Sequence, residues 1–181
     1  MTNALVLVDL QRDYFQSGAH PLVEPDAAVA EARRVLDFWR QEHRPVVHVQ
    51  HVATESGATF MRPDTDGVGI HSLVAPQHDE IVVTKHQPNA FLDTSLLDEL
   101  RTVGAESITV VGMMTNMCID ATVRAASDLG FDVTVVADAC AASDLQFDGR
   151  IIDGATVHAA FLAALQGTYA RVCTAQELLA E

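Results

Sequence analysis

A chain of 181 residues, 49 % apolar and 20 % charged, has the size and composition of one globular domain, residues 1–181, with a sizeable core. Its formal net charge of −14, with no Lys/Arg cluster, argues against nucleic acid and anionic membrane as partners. No apolar run reaches the roughly 18 residues of a membrane span. The opening segment meets Asp9 too early for a secretory signal, so a cytosolic protein is expected.

The elements alternate. Ala4–Val8 is short, branched and apolar on both faces, as a buried parallel strand should be. Pro25 and Asp26 open a helix whose Val29, Ala32, Leu36 and Trp39 recur at three- and four-residue steps. A second strand follows at Val46–Gln50. Residues 53–79 show no clean period and carry Gly57, Pro63, Gly67, Gly69 and Pro76, which suggests a lid or binding loop. A third strand reads Ile81–Thr84, and Leu92–Val103 is predicted helical with Gly104 as its stop. The fourth strand is Ser107–Val111, ending at Gly112. A helix from Met117 or Cys118 to Leu129 comes next, then a fifth strand at Asp132–Ala137. Ile151–Leu165 reads as a helix, Ala170–Cys173 as a short last strand, and a terminal helix starts at Ala175.

Such alternation implies right-handed βαβ crossovers and a parallel sheet covered on both faces, a doubly wound α/β fold. Ligands of such sheets sit at the carboxyl ends of the strands. Asp9, His51 and Lys85 follow strands one, two and three, and the segment leading to Cys118 follows strand four. Reactive residues far apart in sequence therefore fall on one sheet edge.

Cys118 lies where a strand turns into a helix. There the helix dipole is expected to lower a thiol's pKa, and free N–H groups can hold an oxyanion. The alternative is a buried structural cysteine, the reading adopted for Cys140 and Cys173. With three cysteines and no CxxC spacing, neither a disulfide framework nor a zinc-thiolate site is expected. Asp9 is a carboxylate in a cleft or a solvated strand end, and Lys85 a cation beside a thiol or an exposed strand end. Together they suit thiol chemistry: a cation favours thiolate, and a carboxylate can shuttle a proton. Histidines are plentiful, yet no HxH or HExxH pair occurs, and His48 and His51 point to opposite strand faces. His158 reads as packed or capped locally. No metal and no cofactor are expected.

Three ordered motifs resemble the isochorismatase-like cysteine hydrolases. Asp9-Leu10-Gln11-Arg12-Asp13-Tyr14 is similar to that family's D-x-Q-x-D-[FY] opening. Lys85 to Phe91 resembles its K-x-x-x-[SN]-A-F segment, and Gly112 to Ala126 its G-x-x-T-x-x-C-[VI]-x-x-T-x-R-x-A. The resemblance covers nearly the whole chain. It implies a three-layer fold with a mostly parallel six-stranded sheet, Asp9 as general base and acid, Lys85 as cationic partner and Cys118 as nucleophile. It also implies a cis peptide between Met113 and Met114, with the Met114 and Cys118 N–H groups forming an oxyanion hole, and assembly as a homodimer or homotetramer.

The implied substrate is a small amide, ureide or lactam. Candidate contacts are Gln11, Tyr14, Phe15, His51, Phe91 and Met113, with the loop after strand two. Asn116 is a candidate helix cap, and Asp120 and Arg124 read as structural. Nicotinamidases of the family carry a D-x-H metal motif after strand two, where this chain has His51-Val52-Ala53. The Gly112–Cys118 wording is similar to that of streptothricin hydrolases. Two alternatives are vinyl-ether hydrolysis using Asp9 alone, and a non-catalytic protein with an oxidisable Cys118.

Overall fold

The computed structural model describes residues 2–181. Strand β1 (Thr2–Val8) turns Leu5 and Leu7 to one face and Ala4, Val6 and Val8 to the other, all of them buried. Helix α1 (Pro25–Gln41) begins on Pro25, whose missing N–H would be unpaired there anyway. It buries Val29, Ala32, Leu36 and Trp39 along one stripe. Trp39 is 1 % exposed, and its Nε1 donates to the Asn3 carbonyl at 3.2 Å. The chain continues through β2 (Val46–His51), β3 (Ile81–Lys85), α2 (Leu96–Thr102), β4 (Ala105–Met113), α3 (Asp120–Asp128) and β5 (Asp132–Ala141). A hairpin of β6 (Leu145–Phe147) and β7 (Arg150–Ile152) leads to α4 (Gly154–Leu165), β8 (Arg171–Cys173) and α5 (Ala175–Leu179).

Six strands form one sheet in the order β3-β2-β1-β4-β5-β8, every pairing parallel. Helices α1 and α5 pack on the Leu5/Leu7 face, and α2, α3 and α4 on the Ala4/Val6/Val8 face. This is the doubly wound α/β architecture expected from the alternation. The chain runs outward from β1 to β3, then returns to the other side of β1 as β4. That reversal opens a crevice between the carboxyl ends of β1 and β4. Gly112 lets the two strands close there: its φ is +136°, and a Cβ would stand 1.9 Å from the Val8 carbonyl oxygen.

Several boundaries differ from expectation for local reasons. The helix expected from Leu92 begins at Leu96, because the Thr94 hydroxyl donates to the Ala90 carbonyl at 2.6 Å and accepts the Leu96 N–H at 3.2 Å. The helix expected from Ile151 begins at Gly154. Asp153 caps it by accepting the Thr156 N–H at 2.9 Å, and Ile151 belongs to the hairpin. Strand β5 runs on to Ala141 and so includes Cys140. The helix expected from Met117 or Cys118 starts at Asp120. Before it, Thr115–Ile119 form a π-type turn in which the Ile119 N–H reaches the Met114 carbonyl at 3.1 Å.

The aperiodic connection 53–79 is pinned at both ends. Asp13 accepts the Ala19 N–H at 3.1 Å and the Met61 N–H at 2.6 Å, and the Arg12 N–H donates to Gly69 at 3.0 Å. Gly67 lies so close that a Cβ would sit 2.0 Å from Asp13 Oδ1. At the other end Glu80 accepts Arg40 at 2.7 and 2.8 Å, His48 Nε2 at 2.8 Å and the Gln77 N–H at 2.8 Å. Burial works against its charge, yet these hydrogen bonds pull Glu80 down to about 2.

Candidate active site

Asp9 leaves β1 with φ +52°, a left-handed turn that Asp tolerates better than most residues, and its N–H is held by the Val49 carbonyl at 3.0 Å. Lys85 ends β3 in register with His51 at the end of β2. Cys118 rides on the π-type turn that follows β4. The crevice brings all three together, with Asp9 and Lys85 fully buried and Cys118 4 % exposed. Lys85 Nζ stands 2.7 Å from Asp9 Oδ2, 3.3 Å from Cys118 Sγ, 3.1 Å from His51 Nδ1 and 3.0 Å from the Gln87 carbonyl. An ammonium has three protons for these four partners, so one contact must be shared.

The charges favour a particular resting state. Burial raises the Asp9 pKa, and the adjacent Lys85 ammonium opposes the rise. Burial and the Asp9 charge push the Cys118 thiol up, and Lys85 offsets only part of this. The expectation of a thiol lowered by a helix dipole is corrected: the regular helix begins two residues later, and burial and the Asp9 carboxylate outweigh Lys85. The resting thiol is therefore neutral, beside the Asp9–Lys85 pair. His51 is lowered to about 4 by burial and by Lys85, so at neutral pH its Nδ1 can accept from the ammonium. Tyr14 is raised well above its ordinary value by burial and by the neighbouring Asp9 and Asp13 carboxylates, so its hydroxyl keeps its proton.

Residues 3–177 match the isochorismatase domain. The chain belongs to the isochorismatase family. It is 44 % identical over 179 residues to the isochorismatase family protein YddQ of Bacillus subtilis (strain 168), covering 99 % of each chain. A crystal structure assigned as an isochorismatase hydrolase from Oleispira antarctica superposes with a TM-score of 0.96 at 46 % identity, covering 99 % of this chain and 97 % of that one. A streptothricin hydrolase of Streptomyces noursei is 34 % identical over 136 residues, which are 75 % of this chain and 48 % of that protein. As a member of the isochorismatase family, the protein is a hydrolase.

Within this isochorismatase domain the other candidate residues divide. The Met113–Met114 peptide is cis, and the Met114 N–H donates to no other described group. The Met114 carbonyl accepts from Met117 and Ile119, both at 3.1 Å, and passes over Cys118. Met113 is buried on the α1 side of the sheet, and Phe15 stacks on His71 with centroids 4.2 Å apart. Two expectations, for Gln11 and Asn116, are corrected. Gln11 is not free to bind substrate: its amide donates to the His51 carbonyl at 2.8 Å and the Val68 carbonyl at 2.7 Å, and accepts the His51 N–H at 2.8 Å. Phe91 stacks on Phe131, with ring centroids 6.2 Å apart. Asn116 caps nothing; its Oδ1 is buried without a hydrogen-bond partner.

Asp120 and Arg124 form an ion pair one turn apart at 2.8 Å, with the guanidinium 4.4 Å over the Tyr169 ring. His48 turns away from His51 to Glu80, and no group of three His, Cys, Asp or Glu among the described residues is placed to hold a metal. No helix of the described residues is long and apolar enough to cross a membrane. Sequence reasoning missed the Gln87 carbonyl on Lys85 and the anchoring role of Asp13. It also missed a hydrogen bond between Thr115 and His158, which local spacing cannot reveal. At 4 % exposure, little of the Cys118 surface is open to solvent.

Proposed function

We propose that this protein hydrolyses the C–N bond of a small amide, ureide or lactam through a thioester on Cys118. The observation that carries the reading is one ammonium, Lys85 Nζ, lying 2.7 Å from Asp9 Oδ2 and 3.3 Å from Cys118 Sγ. Because the resting thiol is neutral, attack requires proton transfer with it. Asp9 takes the Sγ proton as sulfur bonds to the substrate carbonyl carbon, and the carbonyl oxygen becomes an oxyanion. The unpaired Met114 N–H and the Cys118 N–H receive that oxyanion. When the C–N bond breaks, Asp9 returns the proton to the departing nitrogen. A water then gives a proton to Asp9 and attacks the thioester, and the sulfur leaves and recovers its proton.

Lys85 keeps Asp9 charged between these steps, and neutral His51 shares the ammonium without competing for a proton. The protonated Tyr14 hydroxyl, in the same electrostatic neighbourhood, is a donor for a substrate acceptor. The substrate is small, because so little of the Cys118 surface, 4 %, is exposed to be reached. Kinship with a streptothricin hydrolase supports a C–N substrate. Assembly as a homodimer or homotetramer is part of the same proposal.

The test combines Cys118→Ala and Cys118→Ser with a panel of small amides, ureides and lactams, and intact-mass analysis of the quenched wild type. An acyl adduct on Cys118, with turnover lost in both variants, is the expected result. Turnover surviving both changes would exclude covalent catalysis by this thiol.

A further inference from the structure

We propose that His158, on α4, is a positioning residue for this hydrolysis: it holds the Cys118 turn in place through the Thr115 hydroxyl. The inference rests on the cysteine mechanism above and adds a residue to it. Thr115 opens the π-type turn that carries Cys118 and follows directly on Met114, so it stands between the nucleophile and the proposed oxyanion donor. Its side chain is fully buried. The hydroxyl has one partner among the described residues, His158 Nδ1 at 2.8 Å.

That single partner fixes the direction of the bond. A buried hydroxyl whose proton points at nothing is costly, and the only acceptor in reach is Nδ1. Thr115 therefore donates, and His158 is the neutral tautomer with its proton on Nε2. The backbone continues the clamp: the Asp120 N–H donates back to the Thr115 carbonyl, closing the turn around Cys118. Among the described residues the Thr115 side chain is tied to no other element, so α4 becomes the wall against which the turn is set.

The ring of His158 also borders a cleft of about 240 Å³ between the start of α1 and α4. Glu24, just before α1, and Asp138 and Cys140 from β5 line the same cleft, and Thr115 faces the ring from the turn. Burial alone disfavours the charged ring; none of these neighbours changes that direction. Protonation would put a hydrogen on Nδ1, and the Thr115 hydroxyl would have to turn and accept it, leaving its own buried proton unpaired and loosening the turn. Catalysis should therefore weaken at acid pH through this contact.

The experiment uses the full-length protein and an amide identified in the screen. His158→Leu and Thr115→Val remove the bond. His158→Asn keeps a hydrogen-bonding atom near the Nδ1 position, and Thr115→Ser keeps the hydroxyl. Each removing variant should lower kcat about tenfold with KM within about twofold, the scale of one lost neutral hydrogen bond. The double variant should be no slower than the worse single one, and the two conservative variants should recover most of the rate. The acid limb of the kcat profile assigned to His158 should vanish in His158→Asn. Long-range ¹H–¹⁵N correlation on the wild type should report the Nε2–H tautomer.

Additive losses, or equal loss in His158→Asn and His158→Leu, would overturn the proposal, as would a protonated or Nδ1–H imidazole at neutral pH. Turnover persisting in Cys118→Ala would instead refute the cysteine mechanism, while the tautomer reading would still report on the tether.

Discussion

Replacing Lys85 by Met tests the electrostatics of the whole cluster. At 2.7 Å and an effective dielectric of about 20, the Asp9–Lys85 attraction is roughly 6 kcal/mol, set against several kcal/mol of desolvation for each ion. Removing only the cation leaves a fully buried carboxylate unpaired, and the expected loss is about 3–5 kcal/mol of stability at neutral pH. The loss should depend on pH. Burial already raises Asp9 above its unfolded value of 3.8, and Lys85→Met removes the group that opposes this. A raised folded pKa means that the native state binds the proton more tightly. The variant is then closest to wild type below the unfolded pKa, and it weakens as pH rises through the folded one. The double variant Asp9→Asn/Lys85→Met removes both charges and should return to within about 1 kcal/mol of wild type, with no turnover. Urea unfolding at pH 5 and pH 8 measures all three proteins. A cost below about 1 kcal/mol for Lys85→Met, or a double variant as unstable as the single one, would refute the reasoning.

Gln11→Leu leaves the His51 N–H and carbonyl without their partner and removes one of the two donors to the Val68 carbonyl, which keeps the Gln50 amide at 2.9 Å, so a loss of about 1–3 kcal/mol in urea unfolding is expected. Gly67→Ala drives a methyl into the Asp13 carboxylate; a lower thermal midpoint and faster proteolysis between residues 53 and 79 should follow, whereas Gly57→Ala, which meets nothing within 4 Å, should cost less. Glu80, held near 2, contributes stability that is present above its unfolded value of 4.5 and lost as pH falls towards 2; Glu80→Gln should flatten that acid limb. Without substrate, Cys118 alkylation by iodoacetamide should climb with pH from 7 to 9 without a plateau, because burial and Asp9 keep the thiol protonated. A plateau below pH 7 would contradict the neutral resting thiol.

The sequence by itself determined the layers and the edge of chemistry. Unbroken apolar strands such as Ala4–Val8 can exist only in a sheet covered on both faces, and parallel crossovers place every strand's carboxyl end on one side. Asp9, Lys85 and Cys118 were legible for that reason, since each follows a strand. Periodicity also found α1, whose apolar stripe is set within single turns. What a residue does at that edge was decided only by tertiary structure. Gln11 stands two positions after Asp9 and looks equally catalytic in sequence, yet its amide is consumed by the backbone of His51 and by Val68, residues 40 and 57 positions away. His158 reads as one more helix residue until folding sets it against Thr115, 43 positions earlier. The charge of Cys118 likewise followed from a distant neighbour. A helix start in the sequence suggests a lowered thiol pKa, but burial and the Asp9 carboxylate raise it. Hydrogen-bond partners and desolvation depend on which groups meet in space, and only the assembled sheet fixes those meetings.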